Sequence, residues 1–251
     1  RVSFSRTRDA DRTGYLFVYD DPHIFSSRYQ GRLEYSDNDD GKRHYLDVSY
    51  PFFSIDTPYS YGVTSYSDQR RESLYYRGDV VSEYEQKTLL NRAYFGHSSQ
   101  LGNSWTQRIK LGIENREETF KETPFTRFPI AEDRTLSYPY VSGQWFEDHY
   151  VKVRNFDSIY RTEDLNLGWN IHALLGYSSD DFSDDASRTI YSLSLSKAHY
   201  SGDNQLWRFK ADLDGYWNEE TDDVENLFAS TQLQYYLNTT LRQSWYAKVR
   251  L

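Results

Sequence analysis

Leu165-Asn166-Leu167-Gly168-Trp169-Asn170-Ile171-His172-Ala173-Leu174-Leu175-Gly176-Tyr177 changes character from one residue to the next. Leu165, Leu167, Trp169, Ile171, Ala173, Leu175 and Tyr177 share one face. Asn166, Gly168, Asn170, His172, Leu174 and Gly176 share the other. Such period-2 alternation predicts a β-strand, because successive side chains point to opposite faces. The run exceeds the roughly 5–6 residues usual in a globular strand. It is long enough for the roughly 9–11 tilted residues that cross a bilayer. An apolar face outward and a wet face inward describe one wall segment of a transmembrane barrel. The rest of the chain reads as repeats of this element.

Composition points the same way. Only 37% of the residues are hydrophobic, low for a water-soluble core in 251 residues, yet 18% are aromatic. Disorder combines charge with few aromatics, so the chain reads as folded. A lipid-embedded barrel needs an apolar residue at only one position in two, and it carries aromatic girdles at both interfaces. The longest apolar run, Tyr15 to Tyr19, falls far short of the roughly 20 residues of a membrane helix. A membrane location therefore requires a closed sheet, since open edges leave backbone groups unpaired in lipid. With no Cys, the chain has neither disulfides nor thiolate metal ligands. The net charge of −9 argues against nucleic acid as a partner. No linker divides the chain, so residues 1–251 are read as one outer-membrane barrel domain. No signal peptide opens the sequence, and the chain is expected to be a processed or excised piece.

A strand is expected over Gly14–Tyr19, and alternation recurs in Tyr29–Tyr35, at Leu46, Val48 and Tyr50, and at Ile109, Leu111 and Ile113. Strands are also expected near 59–70 and 80–98, with a break at Arg70-Arg71-Glu72 and a hairpin at Arg77-Gly78-Asp79. Residues 119–134 read as a long loop. The segment 135–155 is strand-like but changes phase around Trp145-Phe146, as a β-bulge or a broken register would. Compact connections are expected near 156–162, 201–204 and 238–240, and acidic loops at 179–187 and 218–225. The total is about 12–13 antiparallel strands with no helix. The alternative is a water-soluble sandwich, which would bury its apolar faces in a core.

The polar faces of these strands collect charges of both signs: Arg28, Arg32, Glu34, Lys110, Glu114, Lys152, Arg154, Arg208, Lys210, Asp212, Asp214, Lys248 and Arg250. Opposite charges at alternate positions pair across neighbouring strands. They predict a salt-bridged barrel lumen, or a solute path whose selectivity they tune. Pro51-Phe52-Phe53-Ser54-Ile55-Asp56-Thr57-Pro58 predicts a rigid connection at a membrane interface. Asp37–Gly41 fails as a calcium loop. With Gly41 in sixth place, the first and twelfth places hold Ser36 and Asp47, not Asp and Glu. None of the six His shows metal spacing. Asp148 and His149 point to opposite faces of a strand, and no catalytic triad is legible. No enzyme activity, cofactor or metal is expected. The acidic runs read as solvated loops, or as bridges through divalent cations to lipopolysaccharide.

Several turn and strand-end segments resemble the bacterial surface-antigen superfamily, the group of BamA- and TamA-type outer-membrane assembly factors. They are Asp21-Pro22-His23-Ile24-Phe25 with Arg28-Tyr29; Asp37–Gly41 followed by Pro51, Phe52, Phe53, Asp56 and Thr57; and Arg154-Asn155-Phe156-Asp157 with Thr162–Gly168. Together they are spread over residues 21–168, somewhat more than half of the chain. The resemblance implies a barrel of about 16 strands, with periplasmic POTRA domains before it. It also implies insertion or translocation of envelope proteins in the outer membrane. Expected partners are lipid, lipopolysaccharide, unfolded client polypeptides and periplasmic or outer-membrane proteins. The family's Arg-Gly-aromatic tripeptide is absent, since Arg77-Gly78 is followed by Asp79. The last strands and the lumen loop are accordingly expected to lie outside this chain. A pore with a charged lumen and a surface-binding scaffold are the alternative functions.

Overall fold

The alternation is realised as strands along nearly the whole chain. A computed structural model describes residues 1–251 except 9–11, 155, 157–160, 184, 203 and 241–242. In chain order the strands are β1 (Val2–Arg8), β2 (Thr13–Asp21), β3 (Gln30–Asn38), β4 (Gly41–Tyr50), β5 (Tyr59–Tyr76), β6 (Asp79–Leu101), β7 (Trp105–Glu122) and β8 (Arg134–Glu147). Then come β9 (Tyr150–Arg154), β10 (Thr162–Asn166), β11 (Asn170–Ser178), β12 (Arg188–Ser201), β13 (Gln205–Asn218), β14 (Asp223–Thr240) and β15 (Gln243–Arg250). One 3-10 turn, Ile24–Ser26, is the sole helical element among the described residues.

β1 to β8 and β11 to β15 form one antiparallel sheet of 13 strands, ordered as in the sequence. β9 and β10 form a separate antiparallel pair. The sheet is not closed: β1 and β15 stand at its two ends. The chain divides into two compact units. One comprises Arg1–Gly96, Leu111–Tyr140 and Ser178–Ser187; the other comprises His97–Lys110, Val141–Tyr177 and Arg188–Leu251.

The stretch from Leu165 to Tyr177 is two strands and not one. β10 ends at Asn166 and β11 begins at Asn170. Asn166 causes the break. Its Nδ2 donates to the Glu147 carbonyl at 3.0 Å, and its Oδ1 accepts from the Gly168 amide at 2.7 Å. This is an Asx turn, in which a side chain competes with the ladder for backbone partners. A Cβ on Gly168 would lie 2.4 Å from the Glu147 oxygen, so only glycine lets the two backbones approach. The facing chain breaks at the same level, between β8 and β9. The Glu147 amide donates to the Trp169 carbonyl, and the Leu167 amide to the His149 carbonyl, each at 2.8 Å. The expected irregularity near Trp145 is therefore a break at Asp148-His149.

Other boundaries also move. Arg70-Arg71-Glu72 is no turn, and β5 runs through it to Tyr76. Asp68, Arg70 and Glu72 share one face, where Arg70 reaches Asp68 at 3.3 Å and Glu72 at 2.5 Å. Charges neutralised at alternate positions leave the ladder intact. The loop expected over 119–134 shortens to 123–133, where Thr123 and Thr126 fold back on the Glu83 carbonyl. The compact connection at 156–162 lies largely outside the described residues, as do Asp184, Asp203 and the start of the last strand at Leu241.

The faces are inverted relative to a water-soluble sheet. In the first unit Val63, Phe95, Leu111 and Ile113 are 53–64% exposed, while Ser60, Ser82 and Glu114 on the opposite face are at most 3% exposed. In the second unit Phe209, Leu233 and Val249 line up across β13, β14 and β15 on the exposed face. Arg188, Asn218 and Ser230 are buried opposite. Tyrosines fold over glycines on the shielded side. The Tyr140 ring occupies the space where a Cβ on Gly112 would sit, 2.5 Å away. Neighbouring strands are sealed this way without a large apolar core.

On the apolar face of the first unit, β5 to β8 carry a polar row: Ser65, Asn91, Asn115 and Ser137. Ser65 donates to Asn91 at 2.8 Å, and Ser137 donates to Asn115. On one side of the row lie Val63, Ala93, Ile113 and Pro139. On the other, the same faces carry Gln69, Arg71, Glu85, Lys87, Glu117 and Lys121. Apart from single residues such as Leu89 and Tyr75, the apolar belt thus gives way to polar side chains within strands that continue.

Candidate functional site

The shielded polar face is the candidate site. Its best-shielded charge is Glu114 on β7, whose side chain is 1% exposed. Arg92 on β6 donates to one Glu114 oxygen through Nε at 2.7 Å and through Nη2. Arg116 approaches the other oxygen at 3.2 Å. The Arg92 guanidinium also lies 5.9 Å from the centre of the Tyr140 ring. On β4 and β5, Thr64 donates to Asp47 at 2.7 Å and Tyr66 to Asp68 at 2.9 Å. Nearer the sheet end, Arg32 pairs with Glu34 and reaches Asp20 at 3.5 Å. Each carboxylate meets a cation or hydroxyl from its own or a neighbouring strand.

In the second unit, Arg188 at the start of β12 is 8% exposed and pairs with Glu225 at 2.9 Å. The Asn218 amide donates to the same carboxylate at 2.7 Å. Lys210 pairs with Asp212 at 2.9 Å, and Ser194 donates to Asp212 at 2.8 Å. Arg208 lies over the Tyr236 ring at 5.3 Å. Asp214 precedes a bulge between Asp214 and Tyr216 and is exposed.

Of the charges expected on the polar face, Arg32, Glu34, Lys110, Glu114, Arg208, Lys210, Asp212 and Asp214 sit on strands of the large sheet. Lys152 and Arg154 sit elsewhere, exposed on β9 in the two-stranded pair. Arg28 precedes β3, in the turn. Its guanidinium stacks on Phe53 at 4.4 Å, which joins two segments far apart in sequence. The strand pattern alone did not single out Arg92 and Arg116 in the first unit, or the Arg188–Glu225–Asn218 group in the second. Extending the alternation of Lys110, Gly112 and Glu114 by one step reaches Arg116.

Pro51 to Pro58 connects β4 to β5. Thr57 is 2% exposed; its Oγ1 accepts from the Ser54 amide at 3.1 Å, a contact that closes the loop. Phe53 packs edge-on to Tyr50 at 5.7 Å, Tyr50 stacks on Tyr61 at 5.4 Å, and Tyr29 and Tyr61 share a hydroxyl hydrogen bond of 2.7 Å. Phe52 is half-buried and Asp56 exposed. The segment anchors a tyrosine-rich cluster at one end of β4 and β5. Amphipathic rings of this kind suit a boundary that is apolar on one side and wet on the other.

The loop 179–187, of which 184 lies outside the described residues, is ordered around Asp180. Its carboxylate accepts from Ser187 Oγ at 3.0 Å and from Ser179 Oγ at 3.2 Å, and these bonds hold its pKa below the usual aspartate value. Hydrogen bonds to the charged form favour ionisation. A depressed folded pKa contributes order that is present above the unfolded value and lost as pH falls through the folded one. Ser187→Ala is therefore expected to raise the Asp180 midpoint toward the ordinary value, followed by NMR titration of the carboxyl carbon. An unchanged midpoint would show that Ser187 does not hold the loop.

Among the described residues no three His, Cys, Asp or Glu side chains gather in a metal-holding arrangement, and no helix is long and apolar enough to cross a membrane. The latter statement concerns helices alone. The features define an all-β protein built on an antiparallel sheet with an exposed apolar face and a shielded, ion-paired polar face. The chain matches no protein-family profile and no curated protein.

Proposed function

We propose that this chain forms the wall of a bacterial outer-membrane β-barrel of the BamA/TamA-like type, which assists insertion or translocation of envelope proteins. The observation that carries this reading is the inverted sheet. Its exposed face is apolar and ends at a polar row, and its opposite face is charged and internally paired. Lipid on the first face and water on the second satisfy both. In β7 the outward positions from Trp105 to Ile113 span eight residue steps of about 3.3 Å, or about 26 Å along the strand. That length is comparable with the roughly 25 Å apolar band of such barrels.

The assembly role draws on the sheet edge. Among the described residues β1 pairs with β2 alone, so its other edge is available to a further strand. An extended client segment can add there by β-augmentation. In this mechanism no covalent bond is made or broken. The charged face favours a second reading, a pore whose ion pairs tune solute passage.

The test uses the protein in phospholipid vesicles with a urea-unfolded outer-membrane barrel as client. Insertion is expected to run faster than in empty vesicles. Cysteines at Ser3 and Ser5 of β1, introduced into a chain without native Cys, are expected to cross-link to the client. Insertion no faster than in empty vesicles overturns the assembly role. If ion conductance then appears across the same vesicles, the pore reading takes its place.

A further inference from the structure

β5 and β6 carry a hairpin tip well beyond the polar row. From Ser65 to Tyr76 there are eleven residue steps of about 3.3 Å, or about 36 Å along β5. Arg77 and Gly78 alone join the two strands, and β6 starts at Asp79. The φ angles of Arg77 and Gly78 are +55° and +94°, as at the two central residues of a type I′ turn. Glycine suits the second place. The first favours asparagine, aspartate or glycine, because at positive φ a Cβ comes close to the following carbonyl oxygen. The turns after β12 and β13 accordingly use Asn204 and Asp222 at positive φ. Arg77 is thus a poor choice for making a turn. Backbone strain held at such an exposed position points to a use for the side chain.

Arg77, Gly78 and Asp79 are all exposed, and nothing lies within 4 Å of where a Cβ on Gly78 would sit. The Arg77 guanidinium lies over the Tyr76 ring, 5.3 Å from its centre. Beyond that contact, the side chains of Arg77 and Asp79 make no hydrogen bond or ion pair with any described residue. The carboxylates of Asp47, Asp68 and Glu114 on the shielded face, by contrast, are each partnered. A free cation and a free anion therefore stand two residues apart on an open tip. Beside them, Tyr75 and Tyr76 are 54% and 61% exposed. Arginine and tyrosine are among the residue types that most often anchor protein interfaces.

We propose that the Arg77-Gly78-Asp79 tip docks into a protein receptor that holds a divalent cation beside an acidic pocket. The planar guanidinium of Arg77 pairs bidentately with a carboxylate of the pocket. The Asp79 carboxylate completes the oxygen shell of the cation. A divalent cation suits Asp79 better than a lysine of the receptor does, because an exposed pair of side-chain charges gains little in water. Gly78 has no side chain to stand between the two charges, so both reach the receptor at once. The inference rests on the hairpin and is independent of the assembly role.

Surface-immobilised, detergent-solubilised full chain tests it, with a purified integrin as the probe, a receptor of that chemistry. Saturable binding is expected with magnesium present, and its loss is expected with EDTA. No saturable binding overturns the docking role, and binding that survives EDTA overturns the part of the cation. Arg77→Asn is expected to weaken binding by about tenfold or more, through loss of the charge-assisted pair. Its thermal stability is expected to equal or exceed that of wild type, since asparagine suits the turn. Asp79→Asn, which keeps the shape of the side chain, is expected to weaken binding as much. A variant that binds like wild type overturns the role of its side chain. Competition makes the test independent of whether the variants fold. A soluble Gly-Arg-Gly-Asp-Ser peptide is expected to displace the wild-type chain and Gly-Arg-Gly-Glu-Ser is not. Failure of the first to displace it overturns the site.

Discussion

Leu111→Arg is expected to destabilise the protein in phospholipid vesicles by about 1–3 kcal/mol if this face meets lipid, between the roughly 2–4 kcal/mol of a cation at the middle of a barrel's lipid-facing band and the roughly 0–1 kcal/mol near its edge. Leu111 is 63% exposed, beside Ile113 at 64%, and both border an apolar groove with Val63 and Phe95. In water this substitution would replace an exposed apolar side chain by a charged one, and surface changes of that kind stay within about 0.5 kcal/mol. The two environments therefore predict different outcomes for one mutation. Gln69→Arg serves as the control. It lies on the same face of β5 beyond the polar row of Ser65 and Asn91, and its expected effect is below about 0.5 kcal/mol. Urea unfolding from vesicles measures both. A Leu111→Arg variant as stable as wild type would exclude lipid on this face.

Glu114→Gln is expected to cost about 3 kcal/mol for the opposite reason. Glu114 lies three residues further along the same strand but on the shielded face. Its carboxylate is the counter-charge for Arg92 and Arg116. Removing one member of a buried charge cluster strands the others, typically at about 3–5 kcal/mol. The low end applies because the two arginine side chains are 39% and 31% exposed and so partly hydrated. Replacing all three by apolar residues, as Arg92→Met, Glu114→Leu and Arg116→Met, is expected to recover most of the loss, since no charge is then left unpaired. The same urea unfolding measures both variants. A single variant within about 0.5 kcal/mol of wild type would mean that water already screens the cluster.

The two neighbourhoods differ in how far the sequence reveals them. The assignment of Leu111 and Glu114 to opposite faces is readable from Ile109-Lys110-Leu111-Gly112-Ile113-Glu114 alone, because the strand period is two. That Arg92 is the partner of Glu114 is not readable there. It depends on the register between β6 and β7, and a slip of one residue would send every side chain to the other face. The Arg77-Gly78-Asp79 tip divides in the same way. The hairpin is readable from the tripeptide, but the length of β5 that carries it is not, since Arg70-Arg71-Glu72 reads as a break.

Local side-chain chemistry accounts for the places where the periodic pattern misleads. Leu165–Tyr177 alternates without a flaw, yet Asn166 and Gly168 break it, because an Asx turn and a close backbone approach outweigh periodicity. Asn-x-Gly within the run was the available signal. The run Arg70-Arg71-Glu72 has turn-like polarity, yet it remains strand because Arg70 finds carboxylates at alternate positions on its own strand. Lys152 and Arg154 alternate like their neighbours but leave the large sheet, since the break at Asp148-His149 passes the chain to a separate pair.

By itself the sequence determined that this protein is an antiparallel β-structure with one apolar and one charged face, although the about 12–13 strands expected fall short of the 15 observed among the described residues. Those properties follow from the residue-by-residue period, which the backbone geometry of a strand dictates. Tertiary structure decided which face is shielded, where the apolar belt stops, and which charges meet. Those properties depend on contacts between residues such as Arg92 and Glu114 or Arg28 and Phe53, and strand register and turn geometry alone bring such residues together.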